Sequence, residues 1–295
     1  MTDTLMEARM GIACGQLRMP GLLKQYPSLL REALEQNADH LQFLTSCLEH
    51  EVLKKQELRQ QGLLRQAKFP KPKTLQEFQF ALIPKLPKMK VEQLAQGAFI
   101  TRKENVICIG RPGTGKSHIA TAIGMGAMLE GYRVRFVSVM QLLQDLQLAQ
   151  SEYRLPRFLK SWNKFDLVIL DELGYVPLGE GGKLLFQFIS HRYEQNSIII
   201  TSNLEFSRWV DVFDDPALTT ALLDRLHIIL IFFYLTANLF VSVKPWKNEE
   251  RKFFYEHADT GCLWNRTLPT HTGTYKCPFF LPGWSTIGLA RWSTF

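Results

Sequence analysis

The apolar positions fall into three regimes along the chain. In residues 1–67 they recur at intervals of three and four, and Leu41, Leu44, Leu48 and Val52 share one face of a helix. Asn37 is placed to cap that helix, and neither Pro nor Gly interrupts it before Gly62. Pro20 and Pro27 punctuate two shorter helices upstream. The run Lys68-Phe69-Pro70-Lys71-Pro72-Lys73 ends this regime, because prolines at 70 and 72 cannot continue a helix, and it reads as a linker.

From residue 106 short apolar runs alternate with helix-length segments. Val106–Ile109 reads as a buried strand, followed by a glycine-rich turn and a helix to about Glu130. Val134–Val139, Leu167–Leu170 and Ile198–Ile200 read as further strands. Residues 140–160 hold one or two helices, with others at 183–195 and 216–226. Near-continuous apolar strands alternating with helices predict a parallel sheet covered on both faces, an α/β fold. After Leu226 the pattern dissolves. Residues 228–243 are uncharged but fall short of the ~20 apolar residues that span a bilayer, so no membrane helix is expected. Ile228–Phe233 is strand-prone and is placed to fill a further sheet position. Four of the six Trp and eight of the twenty Phe lie beyond residue 226 with no period, a pattern suited to out-of-frame or read-through coding. The divisions expected are 1–67, helical; 68–105, linker and lead-in; 106–226, core; and 227–295, an atypical tail.

Composition narrows the class. The chain has 295 residues, 46 % hydrophobic and 21 % charged, which excludes a mostly disordered protein. Five scattered cysteines argue against a disulfide scaffold and for a reducing compartment. The first residues lack a basic segment followed by an apolar run, so a cytoplasmic location is expected. The net charge of +7 divides as +5 over residues 1–105, −1 over 106–226 and +3 over 227–295. A basic flank suits a nucleic-acid partner, and equally a solvated surface. His257, Cys262, His271 and Cys277 have spacings that fit no compact zinc site.

The middle segment carries the chemistry. Gly110-Arg111-Pro112-Gly113-Thr114-Gly115-Lys116-Ser117 fits G-x-x-x-x-G-K-[ST], after a strand and opening a helix. Glycines let backbone N–H groups close around phosphate oxygens, and the helix N-terminus adds partial positive charge. Lys116 is placed to reach the β- and γ-phosphates of ATP, and Ser117 to ligate Mg²⁺. Leu167–Leu170 runs into Asp171 and Glu172, carboxylates at a strand's carboxyl end, where open parallel sheets bind ligands. Asp171 can hold Mg²⁺, and Glu172 can polarise an attacking water. Ile198–Ile200 ends in Thr201-Ser202-Asn203; Asn203 either bonds the water or γ-phosphate or belongs to an ordinary turn. Arg225, near the end of a helix entered at Pro216, either reaches a neighbouring subunit's site or pairs with Asp224 or a carboxylate one turn away.

Together these segments resemble the AAA+ ATPases, and within them the IstB-like helpers of insertion-sequence transposition, related to the DnaC helicase loaders. Glu104-Asn105-Val106 running into Gly110–Ser117, Gly131–Phe136, Phe165–Tyr175 with Pro177-Leu178, Ile200–Leu204 and Leu222–Leu226 carry the resemblance, as do the helical start and Arg65–Pro70. It covers roughly residues 5–226. It implies a P-loop AAA+ core, a three-layer α/β/α sandwich with a mainly parallel sheet, preceded by a small helical domain. It implies ATP and Mg²⁺ as ligands, Asn203 as the sensor residue and Arg225 as the arginine finger of a homo-oligomer joined through the ATP site. It further implies assembly on duplex DNA and delivery of a target to a transposase, with DNA or partner contacts in residues 1–67. Lys68, Lys71 and Lys73 are candidate DNA phosphate contacts, or part of a solvated linker. The alternatives are a replicative helicase as partner, or an inactive nucleotide-binding remnant, because no Ser-Tyr-Arg segment follows Leu226.

Overall fold

The computed structural model describes residues 2–225 except 84–85 and 176–177, and beyond them the strands at 228–233 and 240–243. Three helices open the chain: α1 (Thr2–Gln16), α2 (Pro20–Glu35) and α3 (His40–Ala67). Pro20 takes the first turn of α2, where its missing N–H costs nothing. Pro27 lies inside α2 instead of separating two helices. Asn37 does not start α3. It ends α2 in the left-handed region, with φ 52°. Its N–H donates to the Leu34 carbonyl at 3.4 Å and that of Ala38 to Ala33 at 2.9 Å, the paired bonds of a Schellman turn. Asp39 caps α3: its carboxylate accepts the Gln42 N–H at 2.7 Å, and the Gln42 side chain accepts the Asp39 N–H at 3.1 Å.

The periodic face of α3 does not pack on the described residues: Leu41, Leu44, Leu48 and Val52 are 47–72 % exposed. Cys47 and Glu51, one turn apart on another face, are buried instead. The Glu51 carboxylate accepts the Leu22 N–H at 2.6 Å, at the open N-terminus of α2. Gly21 permits that approach, since a Cβ there would stand 2.7 Å from the carboxylate oxygen.

The segment after α3 is anchored rather than free. Ala67 is fully buried, and Arg135 donates to the Gln66 carbonyl at 3.0 Å. Phe69, Leu75, Phe78 and Phe80 pack onto the core. Two short helices, α4 (Lys88–Ala95) and α5 (Ala98–Thr101), lie within what reads in sequence as a lead-in. The remaining elements are β1 (Asn105–Gly110), α6 (Lys116–Leu129), β2 (Val134–Ser138), α7 (Val139–Ser151), α8 (Leu155–Trp162), β3 (Leu167–Leu173), α9 (Glu180–Arg192), β4 (Ser197–Ser202), α10 (Trp209–Phe213), α11 (Pro216–Arg225), β5 (Ile228–Phe233) and β6 (Phe240–Val243).

The sheet order is β2-β3-β4-β1-β5-β6. The first five strands are parallel, and β6 returns antiparallel to β5. The strand at Ile228–Phe233 therefore takes the open position beside β1, pairing Cys108 with Ile231. Alternation along the strands sends side chains to two separate cores. Ile107, Ile109, Val168, Leu170, Ile198 and Ile200 face one core with α7, α9 and α10. Val106, Cys108, Leu167, Ile169 and Ile199 face the other, with α4, α5, α6 and the end of α3. This is a three-layer α/β/α sandwich with strands buried on both faces. No helix among the described residues is long and apolar enough to cross a membrane.

Candidate nucleotide site

The carboxyl ends of β1, β3 and β4 meet at one sheet edge, where open parallel sheets bind ligands. The loop leaving β1 enters α6 through Gly113 and Gly115, with φ 79° and 89°. These values favour glycine. Gly115 is doubly constrained: a Cβ would stand 2.6 Å from the Phe78 ring, whereas Gly113 is open around its missing Cβ.

Lys116 is 8 % exposed at the start of α6, and its ammonium donates to the Arg111 carbonyl at 2.8 Å. Burial pushes its pKa down, while nearby Cys108, Asp171 and Glu172 work against that shift. Ser117 Oγ donates to Asp171 Oδ1 at 2.8 Å, and Thr201 Oγ1 donates to the same oxygen at 2.5 Å. Thr201 Oγ1 in turn accepts the Glu172 N–H at 2.9 Å. Asp171 is thus held from two elements.

A β-bulge makes this arrangement. Leu170 pairs with Ile200 but Leu173 with Ser202, so β3 carries one extra residue against β4. Glu172 takes up the excess at φ 67°, a left-handed conformation that costs ~1–2 kcal/mol for a residue with a Cβ. Asp171 is buried and Glu172 exposed on a cavity of about 330 Å³. Gly113, Gly115, Lys116, Ser117 and Asn203 line the same cavity. Asn203 Oδ1 is buried and has no hydrogen-bond partner among the described residues.

Among the residues expected from sequence, Pro112 joins these on the wall. Gly110 ends β1, and Arg111 and Thr114 form the loop behind, where Thr114 Oγ1 donates to the Arg111 carbonyl at 2.8 Å. Arg225 is the last residue of α11, and its side chain lies outside the described residues, as do His257, Cys262, His271 and Cys277. Sequence reasoning missed the Thr201 hydroxyl, although its place beside Ser202-Asn203 at a strand end was visible. It also missed Lys73 and Tyr175 on the cavity wall.

Among the described residues no three His, Cys, Asp or Glu side chains cluster to hold a metal unaided. The Ser117 hydroxyl and Asp171 carboxylate are hard oxygen donors, and this sparse set fits Mg²⁺, which keeps waters and shares phosphate oxygens.

A parallel sheet with a glycine-rich loop between β1 and α6 and a carboxylate at the end of β3 defines a nucleotide-binding core of the P-loop kind. The chain belongs to the family of IstB-like ATP binding proteins, whose pattern matches residues 12–231 and so ends within β5. It is 39 % identical over 226 residues to an insertion sequence ATP-binding protein of Sinorhizobium fredii, covering 76 % of each chain. It is 36 % identical over 249 residues to the ATP-binding protein of insertion sequence IS5376 from Geobacillus stearothermophilus, covering 84 % of this chain and 99 % of that one. The DnaC helicase loader crystal structure superimposes with a TM-score of 0.42 and 20 % identity, over 49 % of this chain and 87 % of that one.

Proposed function

We propose that this chain binds ATP with Mg²⁺ in the cavity between the Gly110–Ser117 loop and the ends of β3 and β4, and hydrolyses it to assist a transposase on duplex DNA. The observation that supports this most is the joining of Ser117 and Thr201 to one Asp171 oxygen, with Glu172 on the adjoining wall. Loop N–H groups and the α6 N-terminus cradle the phosphates. The Lys116 ammonium exchanges the Arg111 carbonyl for β- and γ-phosphate oxygens. Ser117 and Asp171 would hold Mg²⁺, which when bound neutralises phosphate charge. Glu172 takes a proton from water as the water oxygen attacks the γ-phosphorus. The bond to the bridging oxygen breaks, ADP leaves, and the proton passes to phosphate. Asn203 Oδ1 orients that water. Arg225 serves a neighbouring subunit's site, so turnover depends on a homo-oligomer. The transposase assignment draws on the insertion-sequence relatives, and a cytoplasmic setting follows from it.

The test is ATP turnover against protein concentration, with and without duplex DNA. Turnover per chain is expected to rise with concentration and again with DNA. Binding without turnover under every condition would favour the inactive remnant. Binding to a replicative helicase and not to a transposase would favour the loader.

A further inference from the structure

The segment that leads from the helical region into the core also reaches the nucleotide cavity. Lys73 is half-buried and lines it, opposite in charge to an ATP phosphate chain. Its position is fixed by three attachments to α6 and the loop before it. The Lys73 N–H contacts Met125 Sδ at 3.2 Å. The Thr74 carbonyl lies 3.0 Å from His118 Nε2. Phe78 sits edge-on to the His118 ring, with centroids 5.2 Å apart, and fills the space that a Cβ on Gly115 would need. Among the described residues no carboxylate pairs with Lys73. A half-buried cation without a counter-ion on the wall of an anion cradle is a site for the anion's charge.

We infer that Lys73 is a nucleotide-binding residue, a second cation beside Lys116 that contacts bound ATP, rather than a DNA contact or a solvated linker residue. The inference rests on the ATP reading of the cavity. The pinned backbone gives this contact a consequence. Lys73 is six residues beyond the end of α3, so the helical region and the phosphate loop share a short, anchored connection.

The experiment is calorimetric titration of full-length protein with ATP in Mg²⁺. It compares wild type, K73A, K73R and K71A, with K116A as the reference for loss of the site and thermal unfolding without nucleotide as the folding check. K73A is expected to weaken ATP binding about tenfold, the scale of one charge-assisted hydrogen bond. K73R is expected to restore most of it, and K71A, exposed two residues upstream, to bind as wild type does. ATP affinity unchanged in K73A while K116A loses binding would overturn the role of Lys73 and leave the ATP site standing. Equal losses in K73A and K71A would also overturn it, pointing to general charge. Absence of ATP binding in wild type would overturn both. If K73A unfolds early, the decision falls to K73M, which keeps the length of the side chain and removes its charge: a loss of ATP affinity of about tenfold supports the contact, and affinity equal to wild type overturns it.

Discussion

Lys116→Ala is expected to weaken ATP binding by about a hundredfold or more, the scale of losing a charged donor to phosphate oxygens. Lys116 is buried at the start of α6 and holds its ammonium on the Arg111 carbonyl, already aimed into the loop. Alanine removes that charge without disturbing the φ 79° and 89° turns at Gly113 and Gly115. Since burial already disfavours the charged ammonium, the fold loses little with it. The unfolding midpoint without nucleotide should stay near that of wild type, while the stabilisation ATP confers disappears. Equilibrium binding and thermal unfolding with and without ATP check both halves.

Glu172→Gln is expected to behave in the opposite way. ATP affinity should stay within about twofold, while turnover falls by about a hundredfold or more, the usual range for loss of a general base. Glutamine keeps the side chain's size and the backbone N–H on Thr201 Oγ1, and so keeps the bulge. What it removes is the proton acceptor on the cavity wall. Single-turnover hydrolysis measured beside equilibrium binding separates the two effects. Equal losses in both would assign Glu172 to binding instead.

The contrast between these variants also marks what could be read from sequence. Strands such as Val106–Ile109 and Ile198–Ile200 are apolar on both faces, which local sequence states directly, and the parallel sheet follows. The phosphate loop is contiguous, so its residues are legible together. The bulge that separates the environments of Asp171 and Glu172 is not, because it exists only in the pairing of β3 with β4. The part played by Thr201 is hidden in sequence for the same reason: it is a bond to a carboxylate 30 residues away. Asn37 reads equally as a cap or as a left-handed helix end, and the bonds made by Asp39 and Gln42 decide between them. Periodicity in α3 marks an apolar face but not what covers it, and Leu41, Leu44, Leu48 and Val52 stand exposed. The lysines and prolines of 68–73 masked the anchoring power of Phe69, Leu75 and Phe78, whose partners are distant in sequence.

The cavity between the glycine-rich loop and Asp171 is expected to hold ATP with Mg²⁺. Direct calorimetric titration of the full-length protein with ATP, with Mg²⁺ and then in excess chelator, tests it. The expected result is saturable binding of one ATP per chain, weakened about tenfold or more without the metal, because Ser117 and Asp171 then lose the cation they share with the phosphates. No saturable binding in either condition, or binding indifferent to Mg²⁺, would contradict it.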